Sequence, residues 1–117
     1  GLATYTRREI VGMAGTDHLV RLVPNTEKVL PGYLFSILAS AVGYGLLVGS
    51  VHGSVQMVLP PEYIARIRIP LLPLGDQQPI HESIEHYAEA LTKASEHEDE
   101  AQALLMRALG YGDEKIR

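Results

Sequence analysis

The sequence predicts an α+β fold, a small mixed body followed by one long coiled-coil helix, and three observations predict it. Ile67, Ile69 and Leu71 alternate with Arg66, Arg68 and Pro70, the period of a half-buried strand. An apolar run without a single charge lies between Lys28 and Glu62, opened by Pro31 and interrupted by Gly43, Gly45 and Gly49. Ile80, Ile84, Tyr87, Leu91, Ala94, Glu98, Ala101, Leu105 and Ala108 then recur at alternating spacings of four and three, the seam of a coiled coil.

In chain order, residues 4–11 are expected to form a strand, and residues 19–23, a short β-branched run, a second one. Asn25 to Lys28 supplies a polar turn. A buried helix from Pro31 to about Ala41 follows, then a glycine break and a further short helical turn. Gly53 and Ser54 turn the chain into a strand at residues 55–59, and Pro60 begins a helical turn, PPEYIA. The strand that follows holds Pro70, which donates nothing to a ladder, so it belongs at a sheet edge. Asp76 is placed to cap the last helix, with Pro79 in its first turn, where a missing N–H is tolerated. A helix over residues 77–109 is about 50 Å long at 1.5 Å per residue. Gly110 and Gly112 stop it. The expected organisation is a body at 1–75 and an arm at 76–117.

Composition narrows the function classes. A chain of 117 residues buries only a modest core, so help from a partner is expected. With no cysteine there are neither disulfides nor thiolate metal sites, which fits a cytoplasmic location. The chain opens at Gly1 without a leader-like pattern and reads as a fragment of a longer polypeptide. The net charge of −4 hides a split: six basic against four acidic residues up to Gly75, four against ten from Asp76 onward. Nucleic-acid contact therefore belongs on the body, and the acidic arm faces water or protein. The apolar run is long enough to raise a membrane span, but its glycines and Ser36, Ser40 and Ser50 favour a buried soluble helix.

Three pieces stand in a telling order: PGYLFSILAS at Pro31 to Ser40, HGSVQMVLPPEYI at His52 to Ile64, and IRIPLLPLGDQQPI at Ile67 to Ile80. With DHLVRLVP before them and the heptad helix after, they resemble the target-recognition domain of the specificity subunit of type I restriction-modification systems. The resemblance covers roughly residues 15–109. It implies a reader of double-stranded DNA that steers a methyltransferase (modification) subunit and a restriction subunit and does no chemistry itself. S-adenosylmethionine and ATP belong to those partners, and no cofactor is expected here. In that family two such helices pair antiparallel and space two recognition domains. One half alone implies a homodimer through the arm, or an arm that awaits its missing half, with Ile80, Ile84, Tyr87, Leu91, Glu98 and Leu105 at the interface. Much of the upstream base-reading part of a full recognition domain has no counterpart here.

Other motifs carry less. His81 and His86 in HESIEH stand five apart, roughly 140° around a helix, and cannot converge on one metal ion; both are expected on a solvated face beside Glu85 and Glu82. The Gly43-Tyr-Gly-Leu-Leu-Val-Gly49 run has its third glycine one residue late for a dinucleotide loop. Pro60-Pro61 follows Leu59, where an adenine methyltransferase loop needs an amide, and Asp113-Glu-Lys115 lacks the second carboxylate of a nuclease. For DNA the candidates are Arg7 and Arg8, then His52, Ser54 and Gln56 around the Gly53 turn, then Arg66 and Arg68. Arginine forks onto guanine or phosphate, glutamine onto adenine, and serine onto phosphate. Two alternatives stay open: a truncated interaction module without DNA function, and the recognition segment of a single-chain restriction-methylation enzyme.

Overall fold

Pro31 at the first helical position, where its missing N–H costs nothing, opens helix α1 (Pro31–Ala39) out of the uncharged run. In the computed structural model, which describes residues 3–15, 19–49 and 60–111, α1 is followed by α2 (Ala41–Val48), α3 (Pro61–Ile64) and α4 (Leu74–Ala108), with a 3-10 turn at Arg8–Ile10 near the start. The break between α1 and α2 falls at Ser40 rather than at a glycine. Ser40 takes an extended backbone, its hydroxyl accepts from the Gly43 N–H at 3.2 Å, and the two helices bend by 74°. Gly43 then lets the corner close, because a Cβ there would run into the Ile37 carbonyl and the Leu38 backbone.

The α+β expectation is overturned. Among the described residues there is no strand, and the architecture is helical. Each predicted strand shows why. Residues 3–10 do alternate, half-buried at Ala3, Tyr5, Arg7 and Glu9 and exposed between, but the surface they cover is α4, not a sheet. Residues 19–23 run irregularly with Leu19 and Val23 about three-quarters exposed (70% and 74%). In residues 67–73 Ile67 and Ile69 turn inward and Arg68 outward, but Leu71, expected to join them, is exposed, so the period stops at Ile69. Pro70 and Pro73 donate nothing to a ladder, and the carbonyls of Pro70 and Leu72 are taken by the Tyr33 hydroxyl (2.9 Å) and the Gln77 amide (2.7 Å). The strand expected at residues 55–59 lies outside the described residues.

Helix α4 dominates. It begins two residues before Asp76, with Pro73 as its N-cap and no side-chain cap, so Asp76 sits inside the first turn, where a carboxylate still suits the helix dipole. Pro79 lies within the helix and leaves the Gly75 carbonyl without its partner four residues on. At the other end Gly110 takes the left-handed conformation (φ 79°), with the Gly110 N–H on Arg107 and the Tyr111 N–H on Met106. Those two bonds make a Schellman stop. The 35 residues give about 52 Å of rod, which accounts for the 55 Å long axis. The radius of gyration is 18.4 Å, against about 13 Å for a compact chain of this length. No single described helix is long and apolar enough to cross a membrane; α1 and α2 together reach the length, but with the 74° bend between them.

Candidate functional site

The body is bolted to the arm at Gln77, whose side chain is fully enclosed. Its Oε1 accepts from the Leu30 N–H at 2.8 Å, and its Nε2 donates to the carbonyls of Lys28 (2.9 Å) and Leu72 (2.7 Å). One amide thereby ties the approach to α1, the proline-rich segment and the start of α4. A buried amide is tolerated because every one of these bonds is made.

One turn further, α1 crosses α4 at Gly32. A Cβ there would stand 2.9 Å from the His81 backbone, so only glycine lets the axes come this close. The Gly32 N–H donates to His81 Nδ1 at 3.1 Å, which removes His81 from the solvated face the sequence assigned to it. Glu85 Oε1 lies 3.8 Å from the same nitrogen. Because Nδ1 is the acceptor for Gly32, the two are not an ion pair; Glu85 accepts instead from the Tyr5 hydroxyl. Burial, that hydrogen bond and the Glu85 charge all push the Tyr5 hydroxyl upward, so it stays a proton donor. Phe35 on α1 links the parts, its ring 5.4 Å from Tyr5 and 6.5 Å from Tyr87.

Residues 3–10 cross the middle of α4 and leave a cleft of about 370 Å³, in which Arg7, Arg8 and Lys93 face Glu85, Glu89 and Glu96. Glu9 is turned inward: neither carboxylate oxygen meets solvent or closes a well-formed hydrogen bond. Its own N–H, then the Thr92 hydroxyl and Arg7, whose Nη1 is 3.3 Å away, hold the carboxyl below the ordinary range against an opposing desolvation.

The candidate DNA residues fall into three groups. Arg7 and Arg8 line the cleft among the acidic residues of α4, with Arg7 leaning on Glu9. Arg66 and Arg68 are exposed on the irregular segment after α3. His52, Ser54 and Gln56 lie outside the described residues. Along the seam, Ile80, Ile84 and Leu91 are half-buried, while Tyr87, Ala94, Glu98, Ala101, Leu105 and Ala108 are exposed. The body covers a neighbouring stripe, Gln77, His81, Ile84, Ala88 and Thr92, that shares only part of the seam. From His97 on, every described residue of the arm but Met106 is exposed, and Leu104, Leu105, Leu109 and Tyr111 are more than half exposed.

Sequence reasoning did not single out Tyr5 or the buried role of Gln77. The period of residues 3–10 was a signal for the first; the Gln pair marked the second without saying which of its two amides turns inward. No known protein family, curated protein or solved structure matches this chain.

Proposed function

We propose that the chain is a non-catalytic DNA-specificity component of a type I restriction-modification system: its basic body contacts duplex, and its arm pairs with a second copy and carries the methyltransferase and restriction subunits. The observation that supports this best is the joint at Gln77. Gln77 of IRIPLLPLGDQQPI holds Lys28 and Leu30, just ahead of PGYLFSILAS, and beside it the Tyr33 hydroxyl of that piece donates to the Pro70 carbonyl. Two of the three pieces quoted for the resemblance are thus held together where the 35-residue helix starts. A rod held rigidly at one end and apolar at the other suits a spacer between recognition units.

Arg66 and Arg68 are the better phosphate contacts, because both are exposed on the segment after α3, whereas Arg7 and Arg8 stand in a cleft lined by Glu85, Glu89 and Glu96. Fluorescence anisotropy of labelled duplexes over a salt series tests the reading. The expected outcome is weak binding that falls as salt rises, since each phosphate contact releases counterions. Arg66→Ala with Arg68→Ala weakens it on every sequence, and Arg7→Ala with Arg8→Ala weakens it less. Absence of binding at low salt, to the chain alone and to the chain mixed with a cognate methyltransferase subunit, would refute the DNA role. Methyl transfer by the purified chain alone would refute the non-catalytic one.

A further inference from the structure

The segment at residues 3–10 lies over part of the proximal seam of α4, at Tyr87 and Leu91, while the distal seam stands open. Its alternating inward residues, Ala3, Tyr5, Arg7 and Glu9, lie across α4. Ala3 and Tyr5 sit with Phe35 over Tyr87 and Leu91, two of the seam positions. The fit is loose: a gap of about 140 Å³ remains at this contact, and the 370 Å³ cleft opens beside it under Arg7 and Arg8. The segment is fastened at few points, the Tyr5 hydroxyl on Glu85 and the Tyr5 ring on Phe35, with the Glu9 carboxylate turned inward beyond them. Apart from the turn at Arg8–Ile10 it has no regular structure of its own.

A helix packed on the seam stands about 8–10 Å from the α4 axis and sends a side chain into the hole around each seam position. That space beside Leu91 is where Ala3 and Tyr5 lie. The segment and a second helix cannot both occupy it. The heptad pattern nevertheless continues without interruption from Ile80 to Ala108, so the sequence provides for pairing beneath the segment as well as beyond it.

We propose that residues 3–10 are a strap that competes with self-association, an inference that rests on the reading that α4 pairs with a second copy. Pairing begins on the bare stretch from Ala101 to Ala108 and advances to Leu91 and Tyr87 only as the strap lifts. Tyr5 and Glu85 are its latch.

Sedimentation equilibrium of four proteins tests this: wild type, Tyr5→Phe, Leu105→Asp, and a Glu9→Cys, Thr92→Cys protein joined by a short reducible cross-linker. The chain has no cysteine of its own, so the cross-link is specific. Removing the latch hydroxyl tightens association by about tenfold or more, the worth of one hydrogen bond to a charged acceptor. The cross-linked chain associates more weakly than the same chain after reduction, a comparison within one protein that does not depend on how either substitution affects folding. If Tyr5→Phe associates no more tightly than wild type, or reduction changes nothing, while Leu105→Asp still abolishes association, the strap is refuted and the pairing stands. If wild type and Tyr5→Phe are monomeric at every concentration, the pairing fails and the strap with it.

Discussion

The two halves of α4 share one heptad pattern and live in different surroundings. The proximal half, from Leu74 to about Ser95, is gripped by Gln77, by the Gly32 crossing and by the strap. The distal half, from His97 to Ala108, is exposed at every residue but the half-buried Met106, and Leu105 keeps 58% of its surface exposed. Periodicity is the same in both, so it reports a face that wants cover and not what covers it. The contrast shows where to expect folding stability and where to expect assembly.

The largest effect belongs to the proximal joint. Gln77→Ala leaves the Leu30 N–H and the carbonyls of Lys28 and Leu72 without partners and costs about 3–5 kcal/mol, read from urea denaturation. Its neighbour Gln78 is exposed and makes one bond, to Glu82, so Gln78→Ala costs under about 0.5 kcal/mol. Equal losses at the two positions would mean that Gln77 does not tie the body to the arm.

Next come two glycines on the body. Gly43→Ala forces the α1–α2 corner open and destabilises by about 2–3 kcal/mol. Gly45 lies in the same helix with nothing near a new Cβ, so Gly45→Ala stabilises by about 0.5–1 kcal/mol through backbone entropy. Thermal unfolding followed by circular dichroism separates the signs.

On the distal half the effects move from folding to association. Leu91→Asp with Leu105→Asp abolishes dimers, since each leucine is worth about 1.5–3 kcal/mol when buried against a partner. Leu105→Asp alone shifts monomer stability by less than about 0.5 kcal/mol. Glu98 is an exposed carboxylate at a seam position, and Glu98→Leu tightens association by removing its desolvation. Unchanged association would place Glu98 outside the interface.

These contrasts also mark what the sequence made legible. The heptad spacing and Gly110 located the long helix and its stop to within three residues at either end, because both signals are local to the helix itself. Pro31 located the start of α1. The kink was assigned to glycine, although Ser40 makes it, since a hydroxyl that both donates to Ile37 and caps Gly43 looks like any other serine in an apolar run. The strands were misread for a different reason. Residues 3–10 and 66–70 do alternate in burial, but a period of two requires only one buried face, and here a helix and side-chain hydrogen bonds take the place of neighbouring strands; Leu71, expected to continue the inward set, is exposed. Gln77 and Gln78 were indistinguishable until the helix phase set one inward.

The smallest effect is that of pH on the strap. The Glu9 carboxyl is held below its ordinary value of 4.5 when folded, so its contribution is present in full above that value. It is lost as pH falls through the lowered folded value. Tyr5 ring resonances followed by NMR below pH 4.5 therefore shift toward those of a released strap. Glu9→Gln reduces that shift, with the carboxylates of Glu85, Glu89 and Glu96 in the same cleft supplying the rest, while leaving the Gln77 joint intact.

The division of α4 is tested most directly by amide hydrogen exchange at low and at high protein concentration. At low concentration, amides from about Leu74 to Ser95 are protected and those from Glu96 to Ala108 exchange fast. At high concentration the distal amides gain protection, and in Leu105→Asp they do not. Distal amides that are as protected as proximal ones when dilute, or that gain nothing on concentration, would contradict the claim that the distal half of the arm is an assembly surface for a second copy.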